Sequence, residues 1–390
     1  MADYLVKEES LISIADAIRE KTGEIAELAF PEDYIIKIND LASSSSEEIP
    51  SNGKDWVQSN ISNITFNDIH GNGTLWIACS DNGLYYSEDG KTWSQTNITN
   101  GVFYRTNYAN GTWVASGEEN LYYSTDGINW NSSNYYSSTT SDQNIEYHNG
   151  YWGYLNYDMS EFYFSSDGIS WETEGGAYPS TVYYNEDLGK WVGFEYVSTF
   201  RTNVYTSPHG GGWTSEGTIM GSDVIDFNIF YNANGMTIAS SSISYTDSAL
   251  WYSTDGLNFE QGTLPIGIII NKIFYANGLW VALTGNDEGI FYSTDGITWT
   301  QSPMNTGSFT SIYYENFMWI AGSTEGIYYS TDGINWTQST GITSSVEDVY
   351  CDSSIWVAAT DSTGLYYSDS WTDSMKETYD SIPNGDEVSY

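Results

Sequence analysis

The chain has 390 residues, of which 52 are acidic and 11 are Lys or Arg, giving a formal net charge of −41. Because only 16% of the residues are charged, this acidity reflects a shortage of basic residues. The shortage argues against binding to nucleic acid or to a bare anionic membrane. An aromatic content of 16% argues against intrinsic disorder. No apolar run is as long as the roughly 20 residues that a membrane-spanning helix needs. The first residues also lack the basic start and apolar core of a secretory signal.

Residues 1–41 differ from the rest of the chain and read as two short helices. Ser10 caps the first helix, which runs to Lys21 and stops at Gly23. Its apolar stripe has helical spacing: Leu11, Ile14, Ala15 and Ile18. Two helices in so few residues bury little core, so they must pack on a partner, on copies of themselves or on the rest of the chain. The Ser-rich segment 42–50 predicts a flexible linker, which favours tethering.

The dominant feature of the sequence is an internal repeat. Seven segments carry a Ser with an aromatic residue six positions later: Ser87 to Trp93, Ser124 to Trp130, Ser165 to Trp171, Ser207 to Trp213, Ser253 to Phe259, Ser293 to Trp299 and Ser330 to Trp336. A shortened eighth copy runs from Ser368 to Trp371. Six copies have Asp-Gly after the Ser, and we call them the SxDG turns. Their aspartates are Asp89, Asp126, Asp167, Asp255, Asp295 and Asp332.

Each SxDG turn follows a strand-like run of the type Trp-Val-Ala, often preceded by an Asn-Gly pair that is typical of a β-hairpin. The unit therefore reads as four strands, a to d, in about 40 residues, which predicts a propeller blade. We predict an all-β propeller over residues 51–371 with eight blades, or seven plus an irregular unit. Residues 51–59 resemble the second half of an SxDG turn, so they are predicted to supply the outer strand of the last blade.

The SxDG aspartates are predicted to be structural. Gly adopts a positive φ without penalty, and Ser and Asp side chains accept hydrogen bonds from turn amides. The aromatic residue is predicted to pack between neighbouring sheets. Catalysis by these aspartates is the competing reading, but six near-identical sites argue against it.

Two resemblances add to this reading. The SxDG turns resemble the Asp-box (BNR) repeat of sialidases, xyloglucanases and related propellers, although Gly follows Asp one position earlier here. Residues 5–23 and 28–31 resemble a helical module of tail and tail-fibre proteins from phages of Gram-positive bacteria. The first resemblance implies a propeller and no particular activity. The second implies a virion protein attached by its N-terminus.

Enzyme chemistry finds little support in the sequence. The resemblance to sialidases implies three arginines around the substrate carboxylate, yet only Arg105 and Arg201 follow residue 50. A hydrolase of neutral polysaccharide needs two carboxylates, and it stays the alternative. Its candidates are the acidic residues outside the SxDG turns, among which no pair stands out: Asp68, Glu146, Glu195, Asp226 and Asp348.

No metal or cofactor is expected from the spacing of His, Cys and acidic residues. His70, His148 and His209 are scattered, and His209 replaces the Asp of a degenerate turn. Calcium in acidic loops remains an alternative. Cys79 and Cys351 fall in the first and last units, where a disulfide is conceivable but two buried thiols are favoured.

The distance from the strand-b aromatic to the repeat Ser is longer in units 3 to 6, and in unit 5 Met236 is read at the Trp position. These additions are predicted to be b–c loops, on the same face as the d–a connections. Aromatic rings that stack on sugars, with polar neighbours, make this face the predicted ligand site. The candidates are Tyr135, Tyr136, Tyr157, Tyr196, Phe200, Arg201, Tyr245, Asp247 and Trp251.

We therefore expect a non-enzymatic, receptor-binding protein of a phage tail, located in the virion. Its predicted partners are other tail subunits, through the N-terminal helices, and a host-surface glycan or protein. A homo-oligomer is an open alternative, as is a purely structural decoration of the virion. Residues 372–390 read as an acidic C-terminal tail.

Overall fold

The computed structural model describes residues 53–118, 120–135, 145–156, 161–173, 179–198, 201–220, 226–244, 247–263, 268–315, 317–352 and 355–369. All regular secondary structure in these ranges is β-strand. The predicted helices (1–41), linker (42–50) and C-terminal tail (372–390) lie outside the described residues. Residues Asn52–Ser370 form one compact unit.

The strands form eight four-stranded antiparallel sheets, which confirms the eight-bladed propeller and shows that the seven-bladed alternative is wrong. Strands a are β2 (Phe66–Gly71), β6 (Phe103–Ala109), β10 (Ile145–His148), β14 (Thr181–Asn185), β18 (Asp226–Ala233), β22 (Ile270–Ala276), β26 (Phe309–Glu315) and β30 (Val346–Asp352). Strands b are β3 (Trp76–Ser80), β7 (Thr112–Gly117), β11 (Tyr151–Asn156), β15 (Lys190–Ser198), β19 (Met236–Ser244), β23 (Leu279–Thr284), β27 (Met318–Ser323) and β31 (Ile355–Thr360).

Strands c are β4 (Gly83–Ser87), β8 (Leu121–Ser124), β12 (Glu161–Ser165), β16 (Arg201–Ser207), β20 (Asp247–Ser253), β24 (Ile290–Ser293), β28 (Gly326–Ser330) and β32 (Gly364–Asp369). Strands d are β5 (Ser94–Gln95), β9 (Asn131–Ser132), β13 (Glu172–Thr173), β17 (Thr214–Met220), β21 (Glu260–Gln261), β25 (Thr300–Gln301), β29 (Thr337–Gln338) and β1 (Val57–Ser62). Strand a is the innermost of each blade, and consecutive strands a lie side by side around the centre.

The N-terminal strand β1 closes the ring, as predicted. It pairs antiparallel with β32, with Val57 opposite Tyr367, and so becomes strand d of blade 8. Pairing the first strand with the last blade removes an open sheet edge that would otherwise expose backbone donors and acceptors.

The same closure rebuilds an eighth turn from two distant parts of the chain. The Gly53 amide donates to Ser368 Oγ at 2.8 Å, and Trp56 Nε1 donates to the Gly53 carbonyl at 3.0 Å. In blade 2, where the turn is continuous, Gly127 bonds Ser124 Oγ at 2.9 Å and Trp130 Nε1 bonds Gly127 at 2.8 Å. The shortened eighth repeat is therefore completed by the N-terminal segment.

In the continuous SxDG turns the Asp carboxylate accepts hydrogen bonds from backbone amides of the turn. Asp126 Oδ1 accepts hydrogen bonds from the amides of Ile128 and Asn129 at 2.9 and 2.7 Å. The same pair of amide bonds recurs at the five other aspartates. Burial opposes ionisation of Asp255 and Asp332, but these hydrogen bonds outweigh it and lower the pKa of each to about 2.

The degenerate turn of blade 4 keeps this geometry with a different side chain. His209 Nδ1 accepts the Gly211 amide at 3.0 Å, and Gly210 donates to Ser207 Oγ at 2.9 Å. An imidazole nitrogen thus replaces the carboxylate oxygen as acceptor.

Acid is expected to destabilise the propeller through these turns. A carboxyl group whose pKa is depressed by folding stabilises the protein above its unfolded value of 3.8, and this stabilisation is lost as the pH falls towards about 2. Because the carboxylates are largely exposed, we expect about 0.5–1 kcal/mol per turn. Urea unfolding between pH 5 and pH 2.5 measures the loss. Asp332→Asn should weaken the pH dependence, whereas Asp187→Asn, on an exposed turn, should not; equal effects of the two substitutions would contradict this role.

Among the residues that the structure describes, eight apolar clusters form the core, one between each pair of neighbouring blades. Strands b are buried on both faces, as the uninterrupted burial of Trp76–Ser80 shows, so they are apolar along their length. Cys79 packs between blades 1 and 2, and Cys351 between blades 7 and 8, so the two thiols belong to different clusters.

Blade 5 corrects one reading of the repeat. Thr237, and not Met236, stands at the strand-b Trp position, because Thr237 pairs with Ser253 as Trp280 pairs with Ser293. A buried Thr is accommodated there because its hydroxyl accepts Asn232 Nδ2 at 2.9 Å and Asn185 Nδ2 at 3.2 Å.

The connections divide between two faces. Gly83, at the b–c turn of blade 1, donates to Gly101 in the following d–a connection at 2.8 Å, and Gly289 donates to Gly307 at 3.1 Å in the same way in blade 6. We call this side the loop face. The opposite side, the turn face, carries the a–b hairpins and the SxDG turns. The predicted Asn-Gly hairpins are present there, with both residues at positive φ in Asn110 and Gly111.

Candidate functional site

The eight strands a enclose a central channel, a cavity of about 620 Å³. Side chains and backbone edges from all eight blades contribute to its wall. A cavity of this volume is in the range of small-ligand sites. The channel is therefore the candidate site that the ring geometry creates.

Towards the loop face the channel opens into a polar mouth of about 350 Å³, lined by Asn67, Tyr104, Arg105, Asn271, Thr310 and Glu347. Several of these side chains also fasten one blade to the next. Asn67 Nδ2 donates to the Phe103 carbonyl at 2.8 Å, and Asn271 Nδ2 donates to the Phe309 carbonyl at 2.9 Å. Because each strand a has a free inner edge, these bonds satisfy backbone groups that would otherwise need water.

Below the mouth, two carboxylates from the first and last blades face the channel. Asp68 Oδ2 accepts the Thr106 amide at 2.7 Å, and Asp348 Oδ2 accepts the Ile69 amide at 3.4 Å. Burial raises the pKa of both groups, and the Asp348 charge adds to the effect on Asp68, whose pKa reaches about 7. Asp68 nevertheless keeps 13% of its side-chain surface exposed, and both carboxylates line the cavity.

Two cations share this level of the channel and moderate the repulsion between the carboxylates. Arg105 Nη1 lies 3.6 Å from Asp68 Oδ1 and donates to the Asn67 carbonyl at 3.1 Å. The charges of Arg105 and Lys272 lower the pKa values of Asp68 and Asp348, although burial prevails. The four groups, two acidic and two basic, form a band below the mouth.

Sequence reasoning named Asp68 and Asp348 but did not pair them, because 279 residues separate Asp348 from Ile69 and only ring closure makes blades 8 and 1 neighbours. It also missed Lys272 and gave Arg105 no role. A usable signal existed. Asp68, Arg105, Lys272 and Asp348 each pair with the residue three positions after the strand-b Trp, so aligning the repeats would have placed them at one level.

Deeper in the channel lies a row of rings that we call the aromatic arc: Tyr231, Phe274, Tyr313, Tyr350 and His70. Consecutive ring centroids are 5.3, 6.1, 4.8 and 4.7 Å apart. Each ring also stands nearly perpendicular to the strand-b Trp of the next blade, as Tyr350 does to Trp76 at 6.0 Å. Packing of this kind fixes the rings in place. Sequence reasoning did not identify the arc.

The histidine of the arc is held neutral. Burial lowers the pKa of His70 to about 4, although the Asp352 charge opposes the shift. His70 therefore adds an uncharged ring to the wall at neutral pH.

A second histidine joins blades 3 and 4 on the turn face. His148 Nδ1 lies 2.9 Å from Glu186 Oε1, and its Nε2 lies 3.5 Å from Glu146 Oε2. The imidazole stacks on Tyr184 with the centroids 4.4 Å apart. Burial lowers the His148 pKa, but the two glutamates outweigh this effect, and the net shift is upward.

We expect this contact to make stability depend on pH. A histidine whose pKa is raised by folding stabilises the protein below its unfolded pKa of 6.5, and this stabilisation disappears as the pH rises through the folded value. For a partly exposed pair we expect about 1 kcal/mol or less. Unfolding free energies measured from pH 6 to pH 9 for the wild type and His148→Gln should converge at high pH; a constant difference would contradict the contribution of the charge.

The predicted ligand residues occupy different environments. Tyr196 is 38% exposed, and Arg201 is also exposed, both near the tip of the β15–β16 hairpin on the loop face. Tyr135 is buried, and its hydroxyl accepts Asn156 Nδ2 at 2.7 Å, so it packs as a core residue. Trp251 is half-buried within blade 5 and donates to Ser241 Oγ at 2.8 Å.

The remaining candidates lie outside what the structure describes: Tyr136, Tyr157, Phe200 and Tyr245. Asp247 begins strand β20, and the structure describes its backbone only. The additions in units 4 and 5 differ from the predicted loops, because they continue the ladder: Tyr196 pairs with Thr202, and Ser242 pairs with Ser248. Blades 4 and 5 therefore extend beyond the others as long b–c hairpins.

Of the other three carboxylate candidates, the structure describes the side chains of Glu195 and Glu146. Glu195 Oε2 accepts Asn203 Nδ2 at 2.8 Å and the Tyr205 hydroxyl at 2.9 Å, within blade 4. Glu146 lines the channel, and Asp226 begins strand β18, where only its backbone is described. In the described part of the chain, no three His, Cys, Asp or Glu side chains converge as metal ligands. Among the same residues, none forms an apolar helix of membrane-spanning length.

No protein family and no curated protein matches this chain by sequence. Solved structures do match its fold. The computationally designed protein Ika8 has a TM-score of 0.60 at 8% identity over 81% of this chain and 100% of its own. Sqt1 from Saccharomyces cerevisiae has a TM-score of 0.59 at 12% identity over 81% and 98%.

A third similar structure is an enzyme variant. Catalytically inactive virginiamycin B lyase from Staphylococcus aureus, with quinupristin, has a TM-score of 0.53 at 9% identity over 80% of this chain and 98% of its own. At these identities the likeness shows the propeller fold alone.

Proposed function

We propose that this chain is a non-enzymatic receptor-binding protein of a phage tail, which recognises a host-surface glycan or protein through the loop face of its propeller. The observation that carries the proposal is the loop face itself. It combines the open mouth of the channel with two blades extended into long b–c hairpins. Exposed Tyr196 and Arg201 lie near one hairpin tip, where a ring and a guanidinium suit contact with a large ligand.

Attachment to the particle is the second part of the proposal, and it rests on the resemblance of residues 5–23 and 28–31 to the helical module of phage tail proteins. In this arrangement the N-terminal segment binds another tail subunit and the propeller faces the host. The virion is the proposed location.

Binding of the fluorescently labelled full chain to a panel of Gram-positive cells and to a glycan array tests the proposal. We expect Tyr196→Ala combined with Arg201→Ala to weaken binding by about tenfold or more. Phe317→Ala is the matched control, since Phe317 is 84% exposed but lies in an a–b hairpin of the turn face. Equal binding by the double variant, or an equal loss in the control, would contradict a ligand site on the loop face.

The alternative function is a tail-associated hydrolase of neutral polysaccharide. One observation favours it: the channel brings Asp68 and Asp348 together and raises the pKa of Asp68 to about 7, a value suited to a general acid. Against it, each carboxylate already accepts a backbone amide of the next blade. Release of reducing ends by the wild type and its abolition in Asp348→Asn, with the melting temperature retained, would establish the hydrolase.

A further inference from the structure

The charge and the ring content of the channel wall point to one class of ligand. Four carboxylates line the cavity, Asp68, Glu146, Glu347 and Asp348, against two cationic side chains, Arg105 and Lys272. The histidine in the wall is His70, whose pKa of about 4 leaves it neutral. Acidic side chains therefore outnumber basic ones in the wall, although Glu146 Oε2 also lies 3.5 Å from His148 Nε2, and the protein as a whole has a net charge of −41.

The aromatic arc adds a second, independent feature. Four of its five rings line the same cavity: Tyr231, Tyr313, Tyr350 and His70. The rings of Tyr313 and Tyr350 contact each other, with their centroids 4.8 Å apart. At the level of the arc, the residue of blade 3 is Glu146, since it pairs one position after Trp152 just as Tyr350 pairs one position after Trp356. The arc and a carboxylate thus share one level of the channel.

We propose that the central channel binds its ligand through a cationic nitrogen group, a protonated amine or a quaternary ammonium, held by the aromatic arc and by the carboxylates of Glu146 and Asp348. Aromatic rings attract cations through their quadrupole, most strongly where water is excluded, and a narrow negative channel concentrates them. The inference rests on the proposed function, because it names the ligand chemistry of the site that opens on the loop face. An amino sugar and a lysine side chain both carry such a group.

Calorimetric titration of the full chain with tetramethylammonium, and with tert-butanol as a neutral molecule of similar shape, tests the charge requirement. We expect tetramethylammonium to bind, with an affinity that falls as salt is added, and tert-butanol not to bind. Equal binding of the two probes, or no binding of tetramethylammonium, would overturn the inference.

Substitutions at Tyr350 test the role of the ring. Tyr350→Leu is expected to weaken tetramethylammonium binding about 5- to 30-fold. Tyr350→Phe keeps the ring and should stay close to the wild type. Tyr123→Leu is the control, because Tyr123 lies in strand c of blade 2, outside the channel wall. Glu146→Gln should also weaken binding while leaving the melting temperature within a few degrees. Loss of binding in Tyr350→Phe equal to that in Tyr350→Leu would exclude the ring as the binding group.

Competition experiments separate the ligand sources and the two proposals. Displacement of tetramethylammonium by glucosamine but not by N-acetylglucosamine indicates an amino sugar, and displacement by Nα-acetyl-lysine amide alone indicates a peptide. If the chain binds cells but no cationic probe, the inference fails and the proposed function stands. If the chain binds cationic probes but no cells, the proposed function fails and the channel chemistry stands.

Discussion

Replacing Trp56 by alanine is expected to lower the free energy of unfolding by about 3–5 kcal/mol, the usual cost of deleting a buried Trp. Trp56 is 5% exposed and packs with Ile320 and Val346 between blades 7 and 8. It also fixes the split turn, since its Nε1 bonds the Gly53 carbonyl. Urea unfolding followed by circular dichroism measures the loss.

Two further substitutions serve as controls, one with a small expected effect and one with an equal expected effect. Val57→Ala, at the neighbouring residue of β1, should change stability by less than about 0.5 kcal/mol because Val57 is 54% exposed. Trp93→Ala, at the equivalent position of the continuous turn in blade 1, should cost as much as Trp56→Ala. A loss below about 1 kcal/mol for Trp56→Ala would mean that the closing strand contributes little to the stability of the ring.

Gly83→Ala should be nearly as damaging, for a different reason. Gly83 has a φ of +97°, and a Cβ there would overlap the Ile98 carbonyl and come within 3.1 Å of the Asn100 amide nitrogen. Backbone strain and overpacking each cost about 1–3 kcal/mol, so we expect a loss of about 3–5 kcal/mol. The same unfolding assay measures it.

Gly111→Ala separates the two contributions. Gly111 also has a positive φ, +79°, but a Cβ there would meet no atom within 4 Å. Gly111→Ala should therefore lower the free energy of unfolding only by the cost of a positive φ in a non-Gly residue, about 1–2 kcal/mol. If both substitutions lowered the free energy of unfolding equally, the added Cβ at Gly83 would cause no overpacking. The b–c turn and the d–a connection would then be packed less tightly than the Gly83–Gly101 hydrogen bond indicates.

The local architecture of a blade could be predicted because it depends on residues that are close in sequence. The SxDG turn is a short-range structure in which Asp126 bonds amides two and three residues later. The Asn-Gly pairs set the hairpins through their positive φ. Six SxDG turns, the degenerate turn of blade 4 and the shortened eighth copy favoured eight blades, and the half-turn at residues 51–59 predicted how the ring closes.

The channel could not be predicted in the same way, because its contacts join residues that only the closed ring makes neighbours. In the sequence, Asp68 and Asp348 are far apart, and they become neighbours only because blade 8 lies beside blade 1 in the closed ring. The aromatic arc likewise takes one ring from each of five blades. Strand a presents its edge and alternate side chains to the centre, so the chemistry of the wall depends on which residues share a level. The sequence by itself determined the blade and the closure. The tertiary structure decided which charges and rings face one another, because such proximity is a property of the closed ring.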